Sequence, residues 1–525
     1  MQNEKETYRV SSSLLGPEPW AEIYTQYGSA LDAETLQRAL GKMGDRGLPA
    51  FLPELARLEW TLNEISNRKI DIPGKVESIS INPTLQLLNL SWKNLGYLLE
   101  AEDQYTLKSP ERAEELVIVW RDPVTGEPKV NPASNEDLLV LKIIAEEIDT
   151  KTVAEAGHLS VAAIDSAIDR AVRKGMLLSP PSRIKRDTRW FLLTDNIDES
   201  FLSSLTFTLQ WHITQFCDLH CRHCYDRSPR SHMSLDQAVR ILDDLYSFCR
   251  EMNVKGAVSF TGGNPLLYPQ FTDLYREAAD RGFSLSILGN PSPRKQMEQL
   301  LKIRKPTHFQ VSLEGLPDHN DYIRGTGHFS RVMTFLKVLG ELGIFSMVML
   351  TLTRDNMGQI LPLADILRGS VDRFHFNRLS MVGEGANLLL PDKNDYAAFL
   401  ESYIDAAEKN PVMGLKDNLI NIIRHRKGVK LFGGCTGYGC GAAFNFLALL
   451  ADGEVHACRK FPSPLGNIYH QTIQDIYNST LAQQYRAGSL ACASCEIRPV
   501  CGGCLASAYS HGLNIFREKD PFCFM

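Results

Sequence analysis

Between residues 200 and 380, short apolar runs alternate with stretches in which apolar residues recur every three or four positions. The first pattern is typical of buried strands and the second of amphipathic helices. Strands are predicted at Thr206–Phe216, Ala257–Thr261, Phe283–Leu288, Phe309–Leu313, Phe345–Leu352 and Arg373–Leu379. Helices between them include Ser234–Glu251, Pro269–Arg281, Arg331–Leu342 and Gln359–Arg368. These six repeats predict an α/β fold with a parallel sheet, either a partial (β/α)6 barrel or an open doubly wound sheet.

The segment from about 112 to 195 combines a hairpin with three helices. In chain order we expect a strand at Glu115–Trp120, helices at Glu136–Glu147, Thr152–Ala156 and Val161–Gly175, and a further β-like stretch at Arg189–Leu193. This order is typical of a winged helix, a shape most often used to bind DNA. The third helix carries Asp165 and Asp169 among its basic residues, which is weak for a major-groove reader.

Residues 1–111 are predicted to be mainly helical, with apolar periodicity at Leu31–Leu40 and Leu52–Ile65. The apolar stretch Pro83–Trp92 fits a helix and a strand equally well. A short polar stretch at 196–203 is the best candidate for a linker. The predicted domains are therefore a helical domain at 1–111, a winged helix at 112–196, the barrel at 200–400 and a C-terminal domain at 401–525.

The composition is that of a globular protein of several domains, with 525 residues, 44% hydrophobic and 22% charged. A formal net charge of −6 gives no support for binding nucleic acid or an anionic membrane. The first residues lack the apolar core of a secretory signal, and no apolar run approaches the ~20 residues that span a bilayer. We therefore expect a cytoplasmic protein whose thiols stay reduced.

Eleven of the twelve cysteines fall into two spaced groups. Cys217, Cys221 and Cys224 form a C-x3-C-x2-C motif directly after the first predicted strand. Three thiolates can hold three irons of a 4Fe–4S cube and leave the fourth iron open to a small molecule. The second group supplies enough thiolates to close two cubes: Cys435, Cys440, Cys458, Cys492, Cys495, Cys501, Cys504 and Cys523. Cys249 lies in an apolar helical stretch and is interpreted as a buried structural thiol.

Disulfides and zinc are the alternative uses of these cysteines. Disulfide pairing fits poorly with a large chain that has no export signal. A tetrahedral zinc site fits the Cys492/Cys495 and Cys501/Cys504 pairs taken alone. Zinc does not fit the C-x3-C-x2-C motif, because that motif lacks a fourth thiolate. Iron–sulfur clusters fit both groups, and zinc stays open for the C-terminal pairs.

The C-x3-C-x2-C motif at the end of a first strand, followed at once by the aromatic Tyr225, resembles the radical S-adenosylmethionine (SAM) superfamily. The resemblance implies an open iron that chelates SAM, cleavage of SAM to a 5′-deoxyadenosyl radical, and Tyr225 lying against the adenine. Thr261–Pro265 resembles the family's Gly-Gly-Glu-Pro motif, with Asn264 in place of the glutamate. This likeness implies that the backbone of Gly262 and Gly263 approaches the SAM amino group, which glycine permits.

The stretch 310–324 resembles one that peptide-modifying members write as Q-x-S-x-D-G followed by H-D-x-x-R. The resemblance implies that Ser312 and Arg324 hold the SAM carboxylate, the arginine through a charge-assisted pair. It also implies that Glu314 lies near the ribose. Asn290, which ends the third predicted strand, is expected to border the same pocket.

The cysteine spacing from 440 to 523 closely resembles the SPASM domain, which carries two auxiliary 4Fe–4S clusters. The last gap departs from the usual pattern, because two residues stand where three are usual. The likeness implies two ligand sets, Cys435, Cys440, Cys458 and Cys504 for the first cluster and Cys492, Cys495, Cys501 and Cys523 for the second. Closed clusters move electrons rather than bind substrate, which points to a net oxidation. The long loops between the cysteines are then closed by metal–thiolate bonds.

Sulfatase-maturing members of this architecture carry an aspartate base just after the cysteine that matches Cys458. Here that position is Arg459, followed by Lys460. Formylglycine formation by that mechanism is therefore not expected. No catalytic base is assigned, and Glu384, after the sixth predicted strand, is the candidate for a further pocket residue.

The winged-helix segment resembles recognition elements of enzymes that modify ribosomally made peptides, which bind a leader as an added strand. The predicted edge for that strand is Leu116–Trp120. Phe51–Trp60 and Ile81–Leu88 resemble the helical half of partner proteins in methanobactin-type biosynthesis. If that likeness is not meaningful, the helices simply brace the barrel.

The expected function is a radical SAM/SPASM maturase of a precursor peptide, forming a thioether or a related (seleno)cysteine-derived modification as in selenobiotic-type maturases. Its partners would be the precursor peptide with its leader and an electron donor such as flavodoxin or ferredoxin. One alternative is a maturase that acts on a folded protein. The other, from a different class, is an iron–sulfur regulator that binds DNA through the winged helix.

Overall fold

The computed structural model describes residues 7–28, 31–43, 47–68, 70–100, 109–194 and 197–525. Contacts between Cα atoms divide the chain into two units, Met1–Pro181 and Ser182–Met525. The four-domain division expected from the sequence stays a prediction within these two units. Among the described residues, no helix is long and apolar enough to cross a membrane.

The second unit is built on a nine-stranded sheet. Its strands are β6 (Thr206–Thr214), β7 (Lys255–Gly262), β8 (Ser284–Leu288), β9 (His308–Ser312), β10 (Ser346–Leu352), β11 (Arg373–Arg378), β12 (Phe446–Leu449), β13 (Glu454–His456) and β14 (Pro464–Asn467). Strands β6 to β11 are parallel and lie side by side in chain order. A doubly wound sheet would reverse its strand order at a switch point. The unbroken order confirms the α/β prediction and selects the partial barrel.

The C-terminal part of the chain continues the barrel sheet. Strand β12 pairs in parallel with β6, with Phe446 opposite Thr208, and β13 and β14 follow in antiparallel order. The sequence did not predict this extension, because β12 to β14 are only three or four residues long. Such short runs carry too few residues to show a period.

The helices of the second unit bury their apolar faces. The longest, Leu235–Glu251, begins at a capping box in which Ser234 and Gln237 satisfy each other's backbone N–H groups. Its buried face includes Leu242, Leu245 and Phe248. The other helices are Phe271–Asp280, Arg294–Ile303, Pro317–Arg324, His328–Glu341, Ile360–Leu367, Lys393–Ala407, Ile420–Arg426, Ile473–Asn478, Thr480–Ala487 and Leu505–Ser510.

The first unit has a three-stranded antiparallel sheet in the order β2 (Gln86–Lys93), β3 (Glu111–Arg121), β4 (Pro128–Pro132). A separate small pair joins β1 (Ser80–Ile81) to β5 (Leu177–Leu178). The helices before β4 are Arg9–Leu15, Pro17–Tyr27, Ala33–Lys42, Leu52–Asn67 and Leu95–Glu100, and those after it are Asn135–Ala145, Thr150–Ala156 and Val161–Arg173.

Both faces of this sheet are covered by helices. Val117 and Val119 pack into the core of the N-terminal helices, while Ile118 and Trp120 pack into the core of the three later helices. This alternation follows from the two-residue period of a strand. The helical N-terminal segment and the winged-helix segment therefore share one sheet.

The structure decides one open stretch and corrects two local expectations. Pro83–Trp92, which the sequence left open, forms most of strand β2, and that strand ends at Lys93. Arg189–Leu193 is not a strand, because the N–H groups of Trp190 and Phe191 donate to the Asp187 carbonyl in a turn. Leu116–Trp120 is not an edge, because β3 is the central strand and pairs with β2 and β4.

The proposed linker at 196–203 is packed within the second unit where the structure describes it. Ile197 and Leu202 are buried, and Asp198 caps a short 3₁₀ helix at Glu199–Leu202. The division between the two units falls earlier, at Pro181–Ser182.

Candidate active site

The carboxyl ends of the parallel strands meet at one edge of the barrel, where such folds place their chemistry. A cavity of ≈ 840 Å³ extends from this edge into the barrel. Its lining brings together nine residues that the sequence singled out: Cys217, Cys221, Cys224, Tyr225, Gly262, Gly263, Asn290, Ser312 and Arg324. Asn264 and Glu314 are 3% and 1% exposed and do not line it.

Two of the three cysteines on the loop after β6 receive side-chain N–H groups. Asn290 Nδ2 lies 3.6 Å from Cys217 Sγ, and Arg324 Nη1 lies 3.7 Å from Cys221 Sγ. Burial raises the pKa of the Cys221 thiol, so this thiol needs a positive partner to carry charge here. Three thiols in one cavity with N–H donors directed at the sulfur atoms fit a cluster held by three thiolates.

Asp218 fixes this cysteine loop to the neighbouring strand ends. Its Oδ1 accepts from Asn290 Nδ2 at 2.6 Å and from Asn264 Nδ2 at 3.0 Å. Asn264 Oδ1 in turn accepts from the Leu266 backbone N–H. Asn264, which replaces the usual glutamate, therefore has a definite side-chain role in bracing the loop.

The Gly262-Gly263 turn packs against the start of the cysteine loop. The Gly263 N–H donates to the Thr214 carbonyl at 2.8 Å, and the Asn264 N–H donates to the Phe216 carbonyl at 2.7 Å. A Cβ on either glycine would collide with one of these carbonyl groups. Gly262 also has a φ of +137°, which favours glycine. The two glycines therefore allow the turn to pack closely against the backbone of the cysteine loop while it also lines the cavity.

Glu314 and Arg324 form a buried ion pair. Arg324 Nη2 and Nε lie 2.6 and 2.9 Å from Glu314 Oε1. Glu314 Oε2 accepts the Thr351 N–H at 2.7 Å, and His223 Nε2 lies 3.4 Å from Oε1. Burial raises the pKa of Glu314, but its contacts with His223 and Arg324 and the hydrogen bond from Thr351 outweigh burial and leave the pKa below its usual value. Glu314 therefore stands behind Arg324 and orients it, and its place near the ribose stays a prediction.

Tyr225 contacts a polar network that the sequence did not predict. The Arg459 guanidinium lies over the Tyr225 ring, 4.1 Å from its centroid. Arg459 Nη2 also lies 3.0 Å from Asp226 Oδ2, and its Nε donates to His212 Nδ1 at 3.2 Å. A guanidinium paired in this way cannot act as a base. The only available signal was the position of Arg459 directly after a cysteine.

Glu384 does not belong to the cavity wall. Its side chain is exposed, while its backbone N–H donates to the Cys224 carbonyl at 2.8 Å. The segment around it supports the cysteine loop from outside. The expectation of a pocket role for the Glu384 carboxylate is therefore wrong.

The structure assembles the C-terminal cysteines into the two expected sets. Burial raises the pKa of Cys458 to about 12, and the neighbouring Cys440 and Cys504 thiols add to the rise. Cys440 is likewise influenced by Cys504 and Cys435, and burial raises its pKa to about 11. Cys435 and Cys458 line the same cavity as the central cysteines. Four half-buried thiols that influence one another in this way fit a cluster that takes up their charge; that each is a ligand stays a prediction.

The second set lines a separate cavity of ≈ 340 Å³, which contains Cys492, Cys495, Cys501 and Cys523. Asp520 also lines it and accepts the Cys504 N–H at 2.8 Å, so it links the two sets. Arg378, at the end of β11, forms a two-pronged ion pair with Asp520 at 2.7 and 2.8 Å. The barrel and the cysteine segments are thus joined by a buried charge pair.

A parallel partial barrel with three thiols at its carboxyl edge, followed by two sets of four thiols, defines a class of iron–sulfur enzymes. Residues 211–367 match the Radical SAM superfamily, and residues 440–504 match SPASM, an iron–sulfur cluster-binding domain. The chain carries a radical SAM domain and a SPASM domain. The first domain binds SAM and a 4Fe–4S cluster, and the second binds auxiliary iron–sulfur clusters. The SPASM match favours iron–sulfur clusters over zinc at the C-terminal cysteines.

Curated relatives fall into more than one functional group. AlbA of Bacillus subtilis (strain 168), an antilisterial bacteriocin subtilosin biosynthesis protein, is 28% identical over 323 residues, which cover 58% of this chain and 67% of AlbA. The AdoMet-dependent heme synthase of Methanosarcina barkeri is 24% identical over 340 residues, covering 60% of this chain and 95% of that protein. The crystal structure of Streptococcus suis SuiB bound to precursor peptide SuiA superposes with a TM-score of 0.50 at 16% identity. That match covers 78% of this chain and 96% of SuiB.

Proposed function

We propose that this enzyme modifies a ribosomally made precursor peptide, which it recognises through the first unit and oxidises in the barrel cavity. The observation that carries the proposal is the outer edge of strand β4, which pairs with no other strand among the described residues. The likeness to AlbA supports it, because that relative takes part in the biosynthesis of a bacteriocin. The product we propose is a thioether or a related cysteine-derived cross-link, and the electron donor is a small redox protein such as a flavodoxin or ferredoxin.

Strand β4 presents one face of its backbone to an incoming strand. The Ala133 N–H donates to the Leu116 carbonyl at 2.7 Å, so the odd-numbered residues of this strand direct their backbone groups to β3. Pro128, Val130 and Pro132 therefore direct theirs outward, which is where proline is tolerated in an edge strand. The edge offers three carbonyl acceptors and one N–H donor, that of Val130. An extended leader that donates N–H groups fits this edge.

The other edge of the same sheet is already occupied by side chains from helix Leu52–Asn67. Arg57 Nη1 donates to the Asn89 carbonyl at 3.3 Å, and Glu54 accepts the Ser91 N–H at 2.7 Å. These contacts close part of the β2 edge. Strand addition is thus proposed at β4.

The residues of the barrel cavity have separate tasks in the reaction. When bound at Cys217, Cys221 and Cys224, the cluster supplies the electron that cleaves SAM to the radical which abstracts hydrogen from the peptide. Arg324, held by Glu314, and Ser312 are proposed to bind the SAM carboxylate. Asp218 keeps the cysteine loop in register through its two amide contacts.

The two rival functions receive less support. Arg459 is held by Asp226 and His212, so the base used by sulfatase-maturing enzymes has no counterpart at that position. On the winged helix, Arg170 is paired with Glu136 at 2.6 Å and Lys174 with Asp137 at 2.8 Å. Cations neutralised in this way are poor ligands for DNA phosphates.

The test of the function is the mass of a candidate precursor peptide after anaerobic incubation with reconstituted enzyme, SAM and reductant. We expect a loss of two hydrogen atoms that requires the leader. An unchanged mass with release of 5′-deoxyadenosine would instead indicate epimerisation or uncoupled cleavage of SAM. Neither change with several candidate peptides would favour a folded protein as substrate.

Leader binding at β4 should slow hydrogen–deuterium exchange at the Val130 amide. Among Pro128–Pro132 the two prolines have no N–H, and the Lys129 and Asn131 amides already face β3. Val130 is therefore the one amide of this strand that reports on the outer edge. We expect roughly tenfold slower exchange at Val130 with saturating precursor peptide and unchanged exchange at Lys129. Equal exchange at Val130 with and without peptide would contradict strand addition here.

A further inference from the structure

The barrel cavity has a strong excess of positive charge. Among the residues that line it, Asp226 is the one carboxylate in the part of the chain that the structure describes. Six arginine and lysine side chains face the same space: Arg227, Arg324, Arg378, Lys416, Arg459 and Lys460. A cavity with walls of low dielectric constant concentrates the field of such charges.

Most of these cations are already engaged. Arg324 is paired with Glu314, Arg378 with Asp417 and Asp520, and Arg459 with Asp226. Arg227 supports the cysteine loop through the His220 ring and the Cys221 carbonyl.

Two of the six cations, Lys416 and Lys460, are not paired with a carboxylate in this way. Within the described ranges, neither ammonium group has a carboxylate within 4.0 Å. Lys416 Nζ donates to the Cys435 carbonyl at 3.3 Å, which fixes its position and leaves two N–H donors. Lys460 follows Cys458 by two residues and lines the same cavity. Both side chains are half-buried, so their charges are only partly screened by water.

Lys416 lies toward the far end of the barrel from the predicted SAM residues. It lines the cavity together with His308, and its charge lowers the pKa of that imidazole in addition to the larger effect of burial. His308 begins strand β9, whereas Ser312 ends it at the SAM edge. Four residues of strand span about 13 Å. An anion held by Lys416 would therefore lie about four extended residues away from the SAM edge.

The wall between these ends is polar but uncharged. Gln210, Gln310 and Asn377 line it with side-chain amides, which can pair with the N–H and C=O groups of a peptide. Asn445, at the lysine end, is 9% exposed, and its Oδ1 has no hydrogen-bond partner among the described residues. A buried carbonyl oxygen without a partner indicates a donor supplied by a ligand.

We propose that Lys416 and Lys460 form a carboxylate-binding site for the peptide segment that enters the barrel. The segment would carry its carboxylate about four residues from the residue that reacts at the SAM edge. The carboxylate belongs either to an acidic side chain or to the C-terminus of the peptide. This inference rests on the proposed peptide function and adds the chemical class of the bound segment.

A competing role for the lysines is to balance the charge of the auxiliary cluster beside them. Lys519 is a matched control for that role, because it is exposed and lines the other auxiliary cavity beside Cys492, Cys495 and Cys523. It lies outside the lining of the barrel cavity. A cluster-balancing effect would not depend on a carboxylate in the peptide.

The test uses three N-acetylated pentapeptide probes and the reconstituted holoenzyme, saturated with SAM and without reductant. SAM then occupies the Arg324 end, and no turnover takes place. The first probe is Gly-Gly-Glu-Gly-Gly amide, the second is Gly-Gly-Gln-Gly-Gly with a free C-terminal carboxylate, and the third is the same glutamine peptide as the amide. Calorimetric titration gives each dissociation constant, and the first two probes distinguish the two sources of the carboxylate.

We expect one or both carboxylate probes to bind about tenfold more tightly than the neutral amide, and less tightly as salt is raised. Lys416→Gln and Lys460→Gln should each remove most of that difference, and Lys519→Gln should leave it intact. Iron content and circular dichroism identify a variant that has lost its fold. If a variant has lost its fold, the comparison of the three probes on the unchanged protein still tests whether the site prefers a carboxylate.

Equal binding of all three probes would overturn the proposal. So would loss of the difference in Lys519→Gln, which would assign the effect to the clusters in general. If glutarate bound as tightly as the acidic pentapeptide, the site would recognise a carboxylate without a peptide backbone, and the proposed peptide ligand would be wrong. None of these results depends on the leader or on the mass change, so failure here is distinct from failure of the proposed reaction.

Discussion

Replacing Cys217, Cys221 or Cys224 singly by alanine should reduce SAM cleavage by more than about 100-fold while most of the auxiliary iron stays bound. Changes outside the ligand shell already cost 10–100-fold in metal sites, so loss of a ligand should cost more. The three thiols lie on one loop and share one cavity, whereas the other two sets are supplied by the C-terminal segments. Each variant should therefore retain about two thirds of the iron, since one of three cubes is lost.

Cys249→Ala is the matched control for this experiment. Its thiol is 4% exposed within helix Leu235–Glu251 and belongs to none of the three sets. The substitution should leave both iron content and 5′-deoxyadenosine release at the level of the unchanged enzyme. The two measurements are iron per chain and 5′-deoxyadenosine formed under anaerobic conditions with dithionite. Retained cleavage in any one of the three loop variants would contradict the central assignment.

The regular part of this fold was predictable because its signals are local and repeated. The strand from Thr206 and its five successors carry apolar runs long enough to separate strand from helix, and the structure forms all six strands and places them side by side in chain order. The cysteine loop was predictable for the same reason, since its spacing is fixed within eight residues. Its place at the carboxyl edge of a parallel sheet then follows from topology.

The parts that sequence could not supply depend on contacts between distant segments. Arg459 meets Asp226 and His212 across more than two hundred residues of chain. No local pattern links these positions, because each is a single polar residue in an ordinary context. The pairing of Glu314 with Arg324 was hidden for another reason. Both residues were recognised, but a shared motif does not show which of them faces the cavity and which one supports the other.

The recognition unit shows how one missing strand changes an interpretation. The sequence did not predict β2, so Leu116–Trp120 was expected to be an edge strand. The structure pairs β2 with this strand, which is therefore central, and Pro128–Pro132 is an edge strand of the sheet. Val117 and Val119 pack on one face and Ile118 and Trp120 on the other, so the strand is buried on both faces. The unbroken apolar run Leu116–Trp120 already indicated such a strand.

Arg378→Met should lower the stability of the second unit by about 4 kcal/mol, because it leaves two buried carboxylates without their cation. The Arg378 side chain is 2% exposed and pairs with Asp417 at 2.8 Å and Asp520 at 2.7 Å. Those two charges raise the pKa of the guanidinium well above its usual value, against the opposing effect of burial. The midpoint of thermal unfolding, followed by circular dichroism under anaerobic conditions, should fall by roughly 5 °C.

Arg294→Met provides the matched comparison, since Arg294 also pairs with two carboxylates, Glu298 at 2.9 Å and Glu341 at 2.6 Å. Its side chain is 47% exposed, so water screens both ion pairs, and we expect a much smaller loss of stability than in Arg378→Met. If the two variants lost equal stability, burial of the Arg378 ion pairs would not explain the effect.

The pH dependence of Arg378→Met separates an unpaired charge from a simple packing defect. Without the guanidinium, two buried carboxylates lose their cation, and binding a proton removes the uncompensated charge. The loss of stability relative to the unchanged protein should therefore become smaller as the pH is lowered. A cavity left by a shorter side chain would show no such dependence. Because Asp520 also accepts the Cys504 N–H, the variant should lose auxiliary iron as well, which is the opposite of the pattern expected for Cys217→Ala.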